Sequence, residues 1–447
     1  MPMSTSNLAS ELATIALELR TTAATASHQA LVRQCLIDAT AATVAGYDSP
    51  AAAIAARFAS RAFGAGQAFP WLTESTGVTP IGAAFVNSSA MSALDIDDGN
   101  RAARGHLGAA VIPAASAIGS MTSASADTFA HAVIAGCEIG ARLGSVEAPP
   151  FFASGRWASV GAAVASAVSM GLNHEQLTHA VALAVHAAPL LAPAGARREM
   201  TGHIKEGVPF GVLSGMSSAL LAQQGYRGDP DAVESSGIYA VDQLKALTDN
   251  FSAFGRTYFK RYSCCRLAHA PIDAAVAIKS RERLATSDIA KITVRTFRTA
   301  IELPNEASPA SFESAQFSLP FAVAVALVRG PDALLPLAEE TLRDHQVVAL
   351  AERVELLYDA TLDQCYPSAT PAEVRIQTYS GSIHVEERDT AEGDPARAFT
   401  DEQLLSKLRT VAEGRLSKAH LDKIVALIGH RIPTPSEFEA VLKRTLR

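Results

Sequence analysis

Cysteine is scarce: five in 447 residues, at Cys35, Cys137, Cys264, Cys265 and Cys365. That odd, scattered set offers no disulfide framework and no spaced metal motif. Only Cys264 and Cys265 lie together, and neighbouring side chains rarely converge on one metal, so an iron–sulfur cluster is not supported. Chemistry in this chain falls to protein acids and bases. Charged residues are also few, at 19%, and the net charge of −7 comes from interspersed signs. The concentrated basic face of a nucleic-acid binder is missing. No long apolar run is unbroken: Thr178 to Ala196 is interrupted by His186, Pro189 and Pro193, which suits a buried core helix and not a membrane span. The first twenty residues lack a basic leader and set Glu11 and Glu18 among apolar positions. They read as an amphipathic helix, with the cytoplasm as the expected compartment.

What is abundant is small and apolar. Hydrophobic residues make up 48% of the chain, a globular composition, and the length predicts two domains. From residue 5 to about 270, Ala, Leu, Val and Ser recur at helical spacing. Predicted helices include Ala109–Thr122, Thr128–Leu143, Ser159–Met170, His174–Ala188 and Gly211–Gln224. After residue 285 the period changes. Lys291–Phe297 alternates as a half-exposed strand, and Glu373–Tyr379 with Ile383–Glu386 reads as a hairpin turning at Gly381. Ala315–Val328 and Asp332–Leu342 are predicted helices between them. Thr400 and Gln403 are spaced as a capping box that opens a helical tail. The expected fold is mainly α: an all-helical domain over 1–272 and 400–447, and a smaller α+β domain over 273–399 inserted before the C-terminal helices.

Three stretches concentrate polar chemistry. Leu94 to His106 carries Asp95, Asp97, Asp98, Arg101, Arg104 and His106. Asp95 and Asp98 are spaced to share a helical face with Asp97 turned away, and clustered carboxylates raise one another's proton affinity. A solvated helix end would look the same. His106 precedes an apolar helix, whose dipole favours a neutral imidazole able to accept a proton. Lys205, between glycines 202 and 207 with His203 nearby, can hold a carboxylate; its neighbour Glu206 also fits an exposed ion pair. Lys260-Arg-Tyr-Ser-Cys-Cys-Arg266 with His269 has the cation density of an anion site. Its thiols fit either a thiolate beside cations or plain buried hydrophobes.

These segments in this order resemble the MmgE/PrpD family over nearly the whole chain. The most specific parts are Ala93 to Asp98, His106 to Pro113, Gly136-Cys-Glu-Ile-Gly140, the Lys205 turn, Lys260 to Arg266 with His269, and Gln316-Phe-Ser-Leu-Pro320. The resemblance implies a large helical domain, a smaller α+β lid, a cleft between them, a homodimer, and no metal or organic cofactor. It also implies catalytic roles for Asp95, His106, Lys205 and Lys260. Arg101, Arg104, Trp157, His203, Cys265, Arg266 and His269 are candidate substrate contacts. Departures are visible. Gly99 follows the acidic motif, Arg101 and Arg104 are extra cations, and Trp157 and Cys265 stand where family lyases carry histidines. Phe321 replaces a tyrosine of the decarboxylating relatives.

The expected activity is removal of a proton next to a carboxylate of a small polycarboxylate. Elimination, as in a dehydratase or decarboxylase, is one outcome; epimerisation of an iminodisuccinate-like acid, which asks for fewer donors, is another. A catalytically silent carboxylate-binding dimer and a Cys264 or Cys265 hydrolase are the further alternatives.

Overall fold

The structure, a computed structural model, describes residues 7–21, 25–73, 77–148, 154–189, 202–247 and 252–443. Many of its helices begin where the sequence supplies a side-chain cap. Helices α1 (Leu8–Thr21), α2 (Ala26–Gly46), α3 (Pro50–Ala62) and α4 (Pro80–Ser92) lead the chain, the last three capped by Thr25, Ser49 and Thr79. Each cap oxygen accepts an otherwise orphaned N–H of the first turn. Helices α5 (Gly108–Met121), α6 (Ala126–Ser145), α7 (Ser154–Met170), α8 (His174–Ala187) and α9 (Val208–Gln223) follow. Residues 154–169 of α7 are all buried, as expected of a helix apolar on every side. Small residues permit this crowding. A Cβ on Gly215 of α9 would stand 2.2 Å from the carbonyl of Ser159 on α7.

Two short strands, β1 (Gly99–Asn100) and β2 (Thr257–Tyr258), pair antiparallel and pin the loop after α4 to the segment before Lys260. Beyond α10 (His269–Glu282) comes a four-stranded sheet of β3 (Ile289–Thr296), β4 (Val354–Tyr358), β5 (Ala372–Thr378) and β6 (Ile383–Arg388), in the order β4-β3-β5-β6. The pair β3–β4 is parallel and the others antiparallel. Alternation along β3 buries Ile289, Ile292, Val294 and Thr296, and Gly381 takes the positive φ of 91° in the β5–β6 turn. Helices α12 (Asp401–Ala412), α13 (Lys418–Ile428) and α14 (Pro435–Leu442) follow in the tail, and α11 (Leu319–Val328) lies between β3 and β4. The fold is thus mainly α with a small α+β part. One apolar core gathers residues from Leu8 to Phe259 and is completed by Phe399 to Leu442. A second gathers residues from Tyr262 to Ala391.

Some expectations are corrected. The span 315–328 is broken at Ser318, whose side chain caps α11. Asp332–Leu342 forms only two 3-10 turns, Pro331–Ala333 and Glu339–Arg343, because Pro336 between them lacks the N–H a helix needs. The predicted tail cap is present, with Thr400 and Gln403 bonded reciprocally. The apolar stretch from Thr178 is helical to Ala187; its end, 190–196, lies outside the described residues, as do residues 1–6 of the N-terminal helix prediction. No helix among the described residues is long and apolar enough to cross a membrane.

Candidate active site

Helix α4 ends at Ser92, so Asp95, Asp97 and Asp98 share no helical face, and Asp97 is not turned away. Two side chains from distant segments take its last carbonyls. Lys205 Nζ donates to Ser92 O at 2.5 Å and Gln316 Nε2 to Ala93 O at 2.9 Å. With those carbonyls satisfied by tertiary partners, the helix need not continue. Asp95 then adopts φ 53°, and Lys205 and Arg104 also sit at positive φ, 43° and 58°. Such backbone is costly for non-glycine residues and gathers at functional sites. The solvated-loop alternative is removed: Asp95, Asp97 and Asp98 are all at most 3% exposed.

The buried charges interlock. Lys260 Nζ donates to Asp95 Oδ2 at 2.8 Å and to its carbonyl at 2.9 Å, and Lys205 Nζ lies 3.5 Å from Asp95 Oδ1. Burial opposes ionisation of Asp95, but Lys260, Lys205 and His106 outweigh it and hold the carboxyl well below its ordinary range. Lys260 feels burial first as well, yet Asp95 keeps it charged. His106 Nδ1 lies 3.1 Å from Asp97 Oδ2 and 2.8 Å from Asp98 O. Its Nε2 lies 3.4 Å from Asp95 Oδ1 and 3.9 Å from Glu206 Oε1. Burial disfavours the cation, but Asp97 and Glu206 among its neighbours push the imidazole up to about 9. The neutral histidine expected from the helix dipole is therefore corrected to an imidazolium, because carboxylates at contact outweigh a helix end. Asp98 beside it goes the other way. Burial, then Asp38 and Asp97, push it up to about 8, so it is a neutral acid that accepts from the Gly108 N–H.

These groups open on a small, polar cavity of about 40 Å³ lined by Asp95, Arg101, Arg104, His106, Glu206, Tyr258, Lys260, Cys265, Arg266 and Tyr366, among others. Four permanent cations and the protonated histidine thus face two carboxylates. Arg101 and Arg266 both lie over the Tyr258 ring, at 5.2 and 4.9 Å from its centroid, and both reach Asp394. Arg266 further donates to the carbonyls of Glu392 and Ala391 at 2.8 and 3.1 Å. Arg104 donates to Gly144 O at 3.5 Å and, among the described residues, pairs with no carboxylate. Asp95, Asp97 and His106 together offer a metal-like donor set. The positive charge a metal would bring is already supplied there by Lys260 and by the imidazolium.

Three other candidates lie elsewhere. His269 is fully buried behind Arg266, its Nε2 at 3.3 Å from Cys264 O, and burial holds it well below the usual imidazole range. Trp157 is buried beneath the loop, against Gly105 and Gly144. His203 pairs with Glu313 at 2.9 Å in a neighbouring apolar cleft of about 450 Å³ that includes Ile54, Phe58, Phe85 and Phe210. A narrower space lined by Ser92, Asp95, His106, Ile204, Lys205 and Glu206 lies beside both. Cys264 is buried, and burial pushes the Cys265 thiol up to about 12, which removes the thiolate a hydrolase would need.

The sequence reading missed several residues. Glu206, taken for an exposed partner of Lys205, is 6% exposed and accepts from Ser154 Oγ. No sequence signal marked its burial. Tyr258 could have been found, since it lies two residues before Lys260 on an extended segment and so shares its face. Tyr366 and Asp394 come from irregular segments without periodicity.

Comparison with known proteins gives two family matches. Residues 10–243 match the MmgE/PrpD N-terminal domain and residues 262–428 the MmgE/PrpD C-terminal domain. Two relatives from Aspergillus terreus, each named cis-aconitate decarboxylase, one of them from strain NIH 2624 / FGSC A1156, are 25% identical over 388 and 386 residues. Each alignment covers 78% of this chain and 78% of the relative.

Proposed function

Because the chain belongs to the MmgE/PrpD family, we propose that it is a cofactor-independent lyase acting next to a carboxylate of a small polycarboxylate, either removing a proton and expelling a β-substituent or losing carbon dioxide and adding a proton in its place. The observation that carries this reading is the density of cations around a buried Asp95–His106–Lys260 cluster in one cavity. Lys205, Lys260 and Arg266 are the groups for the substrate carboxylates and for the enolate-like charge that develops when the proton leaves. His106, protonated at rest, is placed to give a proton. Tyr258 and Tyr366 are among the lining residues, which supports elimination despite Trp157, Cys265 and Phe321 at family donor positions.

Return of the proton to the same carbon, an epimerisation of an iminodisuccinate-like acid, would use the same groups. The likeness to proteins named cis-aconitate decarboxylase favours the lyase outcome. This reading also takes residues 1–272 with 400–447 as the helical domain, 273–399 as the lid, and a homodimer as the working assembly. The test is incubation in D₂O with cis-aconitate, 2-methylcitrate and iminodisuccinate, followed by NMR and chiral analysis. Product formation or deuterium wash-in is expected. A thermal shift on binding without exchange would support the silent carboxylate-binding dimer instead.

A further inference from the structure

The groups first expected to take the substrate proton are poorly suited to it. Both oxygens of Asp95 are occupied, Oδ2 by Lys260 at 2.8 Å and Oδ1 by Lys205 and His106 at 3.5 and 3.4 Å. His106 has acceptors on both ring nitrogens and already carries its proton. Asp97 sits against Nδ1 and lines only the narrower space beside the cavity, not the cavity itself. Glu206 is different. It lines the cavity on the Nε2 side of His106, its Oε2 is fixed by the Ser154 hydroxyl, and its Oε1 lies 3.9 Å from Nε2. Among the described residues no lysine or arginine nitrogen is paired with it. Ser154 in turn accepts the His106 backbone N–H at 3.0 Å, so one hydroxyl ties the Glu206 side chain to the His106 backbone.

We propose that Glu206 is the catalytic base of this cavity and His106 its acid partner, an assignment that rests on the polycarboxylate reading above. The substrate C–H bond breaks and its proton passes to Glu206 Oε1. The electron pair stays on the substrate as an enolate-like carboxylate held by Lys260 and Arg266, which line the same cavity. His106 then gives its Nε2 proton to the departing hydroxyl or to the carbon. When product leaves, the proton on Glu206 crosses the 3.9 Å gap to His106 and restores the resting pair. A carboxylate paired with no lysine or arginine, beside a charged acid that can refill from it, is the arrangement that two-way proton traffic needs.

The probe is 3-nitropropionate, in which a nitro group stands for one carboxylate and acidifies the adjacent C–H. Its hydrogen–deuterium exchange in D₂O is followed by NMR with wild type, Glu206→Gln and Glu206→Asp, and its binding by calorimetry. Wild type should accelerate exchange. Glu206→Gln should lose about 10²–10⁴-fold of that acceleration while binding the 3-nitropropionate anion at least as tightly, since an anion has been removed from the lining. Glu206→Asp, which keeps the carboxylate, should fall between them. Exchange by Glu206→Gln within about threefold of wild type, or loss of binding together with exchange, overturns the assignment and leaves the polycarboxylate reading standing. A wild type that accelerates no exchange of this activated acid overturns both.

Discussion

The imidazole of His106 faces Asp97 and a carbonyl on Nδ1, and Asp95 and Glu206 on Nε2. Each nitrogen therefore carries a hydrogen, and charge on the ring becomes part of what holds the fold. An unfolded histidine titrates near 6.5 and this one near 9. Between those values the folded state keeps a proton that the unfolded chain releases, so the contribution is complete below about pH 6.5 and is lost as pH rises through about 9. Asp98, raised to about 8, and Glu439, raised to about 7 by burial, slope the same way at lower pH. Melting temperature should accordingly fall from pH 6.5 to 9, and His106→Gln should flatten the upper part of that fall. The partner prediction concerns Asp95. Asp95→Asn leaves Lys260, 1% exposed, without its countercharge, which should cost about 3–5 kcal/mol in urea unfolding. Adding Lys260→Met should recover part of the loss, the sign of direct coupling.

At the scale of elements, legibility followed periodicity. The helices from Gly108 to Gln223, the strand at Ile289–Thr296 and the hairpin at Gly381 repeat a local pattern, and residues a turn or a pleat apart announce them. The polar segments showed candidate chemistry, but their geometry is set largely by contacts far away in sequence. Helix α4 stops at Ser92 because Lys205 and Gln316 take its carbonyls, and nothing near Ser92 in sequence says so. Glu206 looked exposed for the same reason: Ser154, its fixed partner, is 52 residues away. The loop that links them is tight enough to test. A Cβ on Gly105 would stand 2.1 Å from Ser154 Oγ and 2.9 Å from the Trp157 ring. Gly105→Ala should cost about 1–3 kcal/mol by overpacking. It should also lower turnover further than the equally buried but distant Gly119→Ala, whose Cβ would meet Pro435 at 2.7 Å, a comparison that steady-state kinetics and thermal melts on both variants make directly.

For the whole molecule, the question is why the last fifty residues return to the first core. Helix α12 packs on α2, and Lys407, 6% exposed, donates to Asp38 Oδ1 at 2.6 Å and to Ile96 O at 2.7 Å. The second of those bonds ends inside the acidic loop, between Asp95 and Asp97. The C-terminal helix thus braces the backbone that aims both carboxylates, a tie between residues 311 positions apart. Burial pushes the Asp38 carboxyl up against the pull of Lys407, so removing the lysine would leave an acid that can shed its charge and a carbonyl that cannot. Lys407→Met should therefore cost less than Asp95→Asn at low pH, where Asp38 takes up a proton, and more as pH rises and that proton is held at increasing expense. Hydrogen exchange followed by mass spectrometry should show amides 95–98 losing protection in Lys407→Met while the β5–β6 hairpin keeps its own. Equal loss in both places would mean that the helix supports the molecule at large and not the acidic loop in particular.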